Sequence, residues 1–430
     1  MKFKRVLSLV IGASLAFSLA LVPMQHSRAA EKTKISFWHG WTGDEAKKLK
    51  GYIDEFNASQ DEVEVDVLDS QSRDALLTAL TGSDGPDMVY NMDFMANQWG
   101  NAGLLRPLND LIESSGMDLE NSVKSEIDIV TVDDNIYGIP YTMDIFALFY
   151  NKKILAEHGF EAPKTLEEMF EQCKAIATKE GDSYTRLGYV PDFPWIEASL
   201  MAHKYGAYLW DSEKKELGMP SEAWEEYLAY KDQYYSEFGR DEVTKFKSGF
   251  GAYDSPENPF FQGKVAFAIE GEWYPTFIKD YAPADFEWGV VPLPGSEKHP
   301  EFADVAETSA GMLMINGKSE KAEACFKFIS WLKEDQHYLD FCIAKGSLPS
   351  SYTAMRSERI DKEAPELRPF IDVVLNGNPK SGPSVAFLSE LVRQLRKAEE
   401  SVFAGDQDPH EAYEVVAAEL ADQVEEVKSE

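Results

Sequence analysis

The chain has 430 residues, 44% of them hydrophobic and 12% aromatic, a composition that excludes a disordered protein and predicts a well-packed globule. Its formal net charge of −33 at pH 7 argues strongly against nucleic acid or an anionic membrane surface as a partner. The three cysteines, Cys173, Cys325 and Cys342, do not make a disulfide scaffold. Export would permit a Cys325–Cys342 bond, but the odd count and helical surroundings favour buried thiols.

The first 30 residues have the pattern of a signal peptide. A basic start, MKFKR, precedes the apolar run VLSLVIGASLAFSLALV and the small-residue stretch HSRAA. We expect cleavage after Ala29 or Ala30 and not a membrane anchor, because the apolar run is short and ends in a cleavage-like sequence. We expect the mature protein to be exported to the periplasm or outside the cell and to be soluble, and we also expect it to be a monomer. Its net charge changes from −33 to about −37, because the leader holds four basic residues and no acidic one.

Strand and helix patterns alternate in the first part of the mature chain. Residues 34–38, 63–68 and 88–90 are predicted strands, and a helical pattern follows each, with Ser72 as the cap of a helix over 72–80. This β-α-β-α-β order predicts a largely parallel sheet with helices on its faces. The mature length of about 400 residues suggests two domains.

The stretch GIPYTMDIFALFYNKKIL, residues 138–155, predicts a strand that is covered on both sides. Both of its alternating faces are mostly apolar, yet Asp144 lies in the middle. A lone buried carboxylate is costly unless donors surround it. The residues therefore raise the question of which group donates to Asp144.

Further elements follow along the chain without a low-complexity linker or an internal repeat. A helix begins after Thr165, with Glu168 completing a capping box, and residues 195–238 are predicted to be mostly helical. Buried strands are predicted at 263–271, 286–295 and 309–315, followed by a helical pair and an acidic helical end. Because no linker separates the domains, we expect the chain to cross between them more than once.

The usual catalytic motifs are missing from the sequence. It has no GxxxxGK[ST] loop, GxSxG elbow, HExxH helix or CxxC pair, and its seven histidines are scattered without ligand spacing. We therefore predict no catalytic residue, no metal and no cofactor. The many acids leave one enzymatic alternative open, a secreted glycoside hydrolase that uses paired carboxylates.

Three aromatic clusters lie beside turns and polar residues: FWHGWTG (37–43), PDFPW (191–195) and EGEWYPTF (270–277). An aromatic face can stack on a sugar ring while neighbouring carboxylates accept protons from its hydroxyl groups. An ordinary aromatic core has the same composition. The position of the clusters at predicted strand ends favours binding of an uncharged polyol, since open α/β sheets bind ligands beyond the carboxyl ends of their strands.

The order of motifs over the whole mature chain resembles the extracellular solute-binding proteins of ABC importers, in the sugar-binding group that includes the maltose-binding proteins. The most specific stretch is YGIPYTMDIFALFYNKKIL followed by APKTLEEM. The other stretches that carry the resemblance are ISFWHGWTGDEAKKLKGYIDEFNAS, GSDGPDMVYNMDFMANQWGNAGLLRPL, FFQGKVAFAIEGEWYPTFI, GVVPLPG, SAGMLMINGKSEKAEACFKFISWL and GSLPSSYTA.

This resemblance implies an α/β, two-lobe periplasmic-binding-protein-like fold with a ligand cleft between the lobes and a three-strand hinge. The hinge crossings would lie near Asp144, at 309–311 and at 346–349. The N-terminal lobe would comprise 31–143 plus 308–348, and the C-terminal lobe 144–307 plus 349–430.

The resemblance also implies which residues bind the ligand, although Ala310 departs from the commoner glycine. These residues are His39, Gly40, Trp41, Asn91, Met92, Asp93, Asp144, Trp195, Gly271, Trp273, Ala310, Gly311 and Phe387. Ligand hydroxyls would donate to Asp144 when the cleft closes, and water would do so when it is open. The alternative is a structural acid bonded to backbone N–H groups.

The function implied is capture of a sugar or oligosaccharide and its delivery to the permease subunits of an ABC transporter, without catalysis. One alternative cargo is a glycerol-phosphate-type solute, since related groups also carry an FWH start. An anion would need basic residues, and the predicted contact stretches contain none, with only Arg73 and Arg356 in reach. That favours a neutral sugar. A sensory or adhesion protein with the same cleft is a further alternative.

Overall fold

The computed structural model describes residues 31–195, 197–212, 214–383 and 385–429, so the predicted signal peptide lies outside the described residues. The strands are β1 (Thr33–Trp38), β2 (Val63–Leu68), β3 (Met88–Met92), β4 (Thr131–Val132), β5 (Asn135–Ile136), β6 (Ile139–Asn151), β7 (Thr178–Glu180), β8 (Ser183–Arg186), β9 (Trp210–Asp211), β10 (Glu216–Leu217), β11 (Phe267–Gly271), β12 (Trp288–Pro292), β13 (Val305–Ile315), β14 (Leu348–Pro349) and β15 (Asn378–Ser381).

The helices alternate with these strands. They are α1 (Gly43–Ser59), α2 (Arg73–Thr81), α3 (Asp93–Asn101), α4 (Asn109–Ser115), α5 (Lys124–Ile129), α6 (Lys152–His158), α7 (Leu166–Ile176), α8 (Glu197–Ala202), α9 (Glu222–Phe238), α10 (Arg240–Lys247), α11 (Tyr274–Tyr281), α12 (Ala322–Leu332), α13 (Asp335–Lys345), α14 (Tyr352–Met355), α15 (Glu358–Glu363), α16 (Arg368–Asn376), α17 (Leu388–Ala404), α18 (Pro409–Glu419) and α19 (Ala421–Ser429). Short 3₁₀ helices lie at His203–Tyr205, Pro300–Phe302 and Pro365–Leu367. None of the helices in the described part of the chain is long and apolar enough to cross a membrane.

The N-terminal lobe is built on the predicted parallel sheet. β1 pairs in parallel with both β2 and β3. Core residues of α1 and α12, among them Phe56 and Phe328, pack with Phe37 of β1, whereas Met95 and Trp99 of α3 pack in a second cluster with Val89 of β3. The two clusters put helices on both faces of the sheet, so the β-α-β-α-β prediction is confirmed.

Three strands join the two lobes, as expected of the hinge. The first half of β6 pairs with β13, and its second half pairs with β11 and β12 of the C-terminal lobe. β13 in turn pairs with β15 at its start and with β3 at its end. The short strand β14 pairs with β6 at Met143 and Thr142. The two-lobe fold with a three-strand hinge is therefore confirmed, and the lobe boundaries given above stay predictions.

The chain just after β14 still contacts the N-terminal lobe. Val123 N donates to Ser350 O at 3.2 Å, and Tyr352 N donates to Asn121 O at 2.8 Å. The third crossing therefore leaves the N-terminal lobe only after these contacts.

Several local predictions are confirmed and others need correction. Ser72 Oγ accepts from Ala75 N and Thr165 Oγ1 accepts from Glu168 N, so both helix caps form as predicted. The prediction that 195–238 is mostly helical overlooked a small hairpin, because β9 and β10 pair there and carry too few residues for a periodic signal. β11 and β12 are shorter than predicted, while β13 starts earlier, since its first four residues gain a distant partner in β15.

All three cysteines are free and buried in the structure. Burial raises the pKa of Cys325 and of Cys342 to about 12, which keeps these thiols protonated and unreactive. The prediction of buried thiols is confirmed, and no Cys325–Cys342 bond forms.

Candidate functional site

One wall of the site, the N-lobe wall, follows the carboxyl end of β1. The half-buried ring of Trp41 lies 4.1 Å from the Tyr90 ring and 5.4 Å from the Phe341 ring, centroid to centroid. Gly40 passes close to the next loop, since a Cβ there would lie 3.1 Å from Gln71 O. His39 is buried, and desolvation lowers its pKa to about 4, so its imidazole is neutral at pH 7.

The opposite wall, the C-lobe wall, is an aromatic cluster around the end of β11. Trp273 meets Phe146 and Trp195 edge to face, each with ring centroids 5.6 Å away. Its indole lies directly over Gly271, where a Cβ would be 2.1 Å from the ring, so a side chain at this position would displace the indole. Trp195 Nε1 donates to Glu270 Oε2 at 2.8 Å, and Tyr253 lies 5.7 Å from the Trp195 ring.

The two walls face each other. Glu45, in the first turn of α1, is near enough to Tyr253 of the C-terminal lobe to contribute to the rise in the Tyr253 pKa, which is caused mainly by burial. Gly346, just after α13, lies beside α11, because a Cβ there would be 2.9 Å from Thr276 Oγ1. We call the space between the walls the interlobe cleft.

The hinge end of the interlobe cleft carries a charged cluster. Asp144, partly exposed in the middle of β6, lies within hydrogen-bonding reach of the Glu272 carboxyl group, whose Oε2 accepts from Ile145 N at 3.3 Å. Lys345 Nζ lies 3.2 Å from Glu45 Oε1 and 5.6 Å from the centroid of Trp41. Burial raises the pKa of Asp144, while Lys345 and the bond to Glu272 oppose that rise.

The structure thus gives Asp144 a partner that sequence reasoning missed. The sequence predicts ligand hydroxyls or water as donors to Asp144, with backbone N–H groups as the alternative, and the structure adds the carboxyl group of Glu272. Lys345 was also missed: the predicted contact stretches do lack basic residues, but this lysine reaches the cleft from the end of α13. The only sequence signal was the position of each residue, Glu272 between Gly271 and Trp273, and Lys345 just before the third crossing.

A second group of predicted residues makes hinge contacts. Asp93 is buried, and its Oδ2 and Oδ1 accept from Ala310 N at 2.9 Å and Phe94 N at 2.7 Å. A Cβ at Gly311 would lie 1.7 Å from the Tyr90 hydroxyl. Both carboxyl oxygens of Asp93 are therefore used by the backbone, although burial raises its pKa to about 7.

The remaining predicted residues differ in their surroundings. Asn91 and Met92 are half-buried at the end of β3, beside the N-lobe wall. Phe387 is buried and meets Trp210 edge to face, with ring centroids 5.5 Å apart. Within the described residues, no ring contact joins Phe387 to the aromatic cluster of Trp273 and Trp195.

Among the described residues, three buried polar atoms of the cleft have no hydrogen-bond partner. They are His39 Nδ1, Glu272 Oε1 and Trp273 Nε1. Leaving such atoms unpaired costs about 1–3 kcal/mol each. Aromatic faces together with unpaired donors and acceptors can bind a polar ligand that has apolar faces. The described residues contain no group of three or more His, Cys, Asp or Glu side chains that could hold a metal ion.

Comparisons with known proteins identify relatives of this chain. The family model for bacterial extracellular solute-binding proteins matches residues 40–337. The chain is 22% identical over 301 residues to the maltotriose-binding protein of Pyrococcus abyssi, and 24% identical over 283 residues to the maltodextrin-binding protein MdxE of Bacillus subtilis. These matches cover 69% and 64% of this chain, and the chain spans only 62% and 64% of the length of these two relatives.

A solved structure shows the same fold. The sugar-binding protein MalE from Xanthomonas citri superposes with a TM-score of 0.76 at 23% sequence identity. The superposition covers 92% of this chain and 98% of that one. The likeness therefore extends to both lobes.

Proposed function

The chain belongs to the bacterial extracellular solute-binding protein family, and from that premise we propose that it captures a sugar or oligosaccharide and delivers it to the permease of an ABC importer. The names of its relatives, which bind maltotriose and maltodextrin, support a carbohydrate ligand. The leader-like first 30 residues support export. Capture needs no covalent step, so the proposal includes no catalytic residue.

The observation that carries the proposal is the presence of a tryptophan on each of the two facing walls. Trp41 on the N-lobe wall and Trp273 on the C-lobe wall offer aromatic faces, and unpaired polar atoms lie beside both. The C–H faces of a sugar stack on such rings, and its hydroxyl groups satisfy the unpaired His39 Nδ1 and Trp273 Nε1. Asp144, Asn91 and Met92 are the further contacts that we propose.

Closure of the lobes is the proposed mechanism. A ligand that first binds one wall gains the contacts of the other wall only in the closed form, so it shifts the population toward closure. The permease subunits then bind the closed form. Delivery requires release, which suits an affinity of about 1 μM, or roughly −8 kcal/mol.

The charges of the cleft disfavour a phosphate-bearing cargo. Lys345 is ion-paired with Glu45 and lies beside Asp144 and Glu272, so a phosphate group would meet more negative than positive charge. A neutral sugar avoids this repulsion.

The separation of these two acids does not suit the catalytic pair of a glycoside hydrolase. Such enzymes keep their two carboxyl groups about 5–9.5 Å apart to admit the glycosidic bond or a water molecule. The carboxyl groups of Asp144 and Glu272 lie within hydrogen-bonding reach of each other, which leaves no such space between them.

A thermal-shift screen against mono- and oligosaccharides, with calorimetry on every hit, tests the proposal. A ligand raises the melting temperature by mass action, and glycerol phosphodiesters serve as the alternative cargo in the same screen. Chromatography of the recovered sugar distinguishes capture from hydrolysis. A response to phosphodiesters alone, or a cleaved sugar, would overturn the proposal.

A further inference from the structure

The carboxyl groups of Asp144 and Glu272 lie within hydrogen-bonding reach of each other. Two ionised carboxylates this close would repel each other with no hydrogen between them, so their approach favours one proton on the pair. Glu272 Oε2 is already occupied by Ile145 N, and Oε1 is buried without an N–H or O–H donor. Ionised Glu272 would thus be a buried charge that is hydrogen-bonded only by backbone N–H groups, those of Ile145 and of Glu272 itself.

The surroundings of the two acids are unequal. Glu272 is only 1% exposed, whereas Asp144 is partly exposed to the interlobe cleft. Burial penalises the charged form of the more enclosed acid more strongly. Burial raises the pKa of both acids, that of Glu272 well above its ordinary value, and Lys345 opposes the rise in both; the nearby Asp144 carboxylate raises the pKa of Glu272 further.

Other titratable groups also surround the pair. Those that interact with one or both acids are Glu45 of α1, Tyr90 of β3, Asp93 of α3, Glu126 of α5, and Cys342 and Lys345 of α13. Burial raises the pKa values of Tyr90, Asp93, Glu126 and Cys342. Lys345 is the one cation of this set and is already ion-paired with Glu45, so the set holds no second positive charge to balance two ionised carboxylates.

We propose that Glu272 is a positioning residue that keeps its proton and donates it to Asp144, so that Asp144 faces the cleft as the ionised acceptor of a sugar hydroxyl. This inference deepens the proposed function and rests on it. Sugar affinity then needs one proton on the pair. It falls on the acid side, where Asp144 also becomes protonated, and on the alkaline side, where Glu272 loses its proton and the two carboxylates repel each other.

The variant Glu272→Gln tests the assignment, because the amide N–H can still donate to Asp144 and the amide oxygen can still accept from Ile145 N. Calorimetry of a sugar that the screen identifies is run across the pH range with the wild type, Glu272→Gln and Glu272→Leu. We expect Glu272→Gln to bind the sugar as tightly as the wild type near neutrality. Its affinity should not fall at alkaline pH, whereas that of the wild type should. Glu272→Leu, without a donor, should bind about tenfold more weakly.

The matched control is Glu287→Gln, which removes the same charge at an exposed position and should keep the wild-type pH profile. If the sugar affinity of the wild type and of Glu272→Gln falls by the same factor at alkaline pH, the inference is overturned. If the wild type binds no sugar at any pH, the proposed function itself fails.

A second experiment tests the inference without any variant. Calorimetry of the wild type in buffers of different ionisation enthalpy measures the protons that are taken up or released when the sugar binds. On the alkaline limb we expect uptake of a proton with sugar binding, since binding favours the protonated Glu272. Binding without proton uptake there would contradict the assignment.

Discussion

Asp93 accepts a hydrogen bond from the backbone N–H of Ala310, and so ties the start of α3 to the middle of hinge strand β13. The same carboxylate accepts from Phe94 N at the first turn of α3. One buried side chain therefore fixes the end of a parallel strand relative to the hinge. The resemblance implies ligand binding for Asp93, which stays a prediction, and the structure shows that its carboxyl group contacts the hinge.

Asp93→Ala should destabilise the protein by about 2 kcal/mol or more, because it leaves two N–H groups without their acceptor in a buried region. The free energy of unfolding in urea is the measurement. Asp66→Ala, at an exposed position of β2, is the control and should stay within about 0.5 kcal/mol of the wild type. Equal stability of the two variants would remove the hinge role of Asp93.

Gly311→Ala should also destabilise the protein, by about 2 kcal/mol. A Cβ at Gly311 would lie 1.7 Å from the Tyr90 hydroxyl, which is hydrogen-bonded to Thr142 Oγ1 at 2.8 Å, so the ring must move and the bond is lost. The free energy of unfolding in urea is again the measurement. The matched control is Gly51→Ala, in the middle of α1 with no atom within 4 Å of the new Cβ, which should be stabilising by up to about 1 kcal/mol.

Trp273→Ala should weaken sugar binding by about thirtyfold or more, because stacked aromatic anchors contribute about 2 kcal/mol or more to binding. Calorimetric titration measures the dissociation constant. Trp331→Ala removes a tryptophan that stacks on His337 outside the cleft, and its affinity should equal that of the wild type. An unchanged affinity in Trp273→Ala would exclude this residue from the site.

Glu270→Gln should remove a pH-dependent loss of stability. Burial raises the pKa of Glu270 to about 8, above the value of about 4.3 expected in the unfolded chain. The native state then binds more protons between these two values, so the stability of the wild type falls as pH rises through this window, by up to about 1.4 kcal/mol per unit. A glutamine keeps an acceptor for Trp195 Nε1 and does not titrate.

Urea unfolding of the wild type and Glu270→Gln between about pH 5 and pH 8 measures this difference. The stability of the variant relative to the wild type should increase with pH. Glu287→Gln, at an exposed site, should show no such trend. Parallel curves for Glu270→Gln and the wild type would show that Glu270 is ionised throughout.

Much of the fold follows from local signals in the sequence. Alternation and helical spacing located β1, β2 and β3 with the helices between them, and hydroxyl residues marked the caps at Ser72 and Thr165. The mostly apolar faces of 138–155 predicted the long strand β6, which is buried along most of its length. These signals are local because the side-chain periods of a strand and of a helix relate residues that are only a few positions apart in the chain.

The charged cluster of the cleft did not follow from these signals. Lys345 is 201 residues from Asp144 along the chain and approaches it only because α13 ends at the third hinge crossing. Periodicity tells which face a residue occupies, but not which distant residue it meets. Phe387 packs against Trp210, a contact that no local pattern predicted, and its proposed ligand contact stays a prediction.

The most direct test of the central claim is a crystal structure of the protein with a sugar that the thermal-shift screen identifies. We predict density for an intact sugar in the interlobe cleft, with rings against Trp41 and Trp273 and a hydroxyl group on Asp144. Density at any other place, or a cleft that stays empty at saturating sugar, would contradict the account.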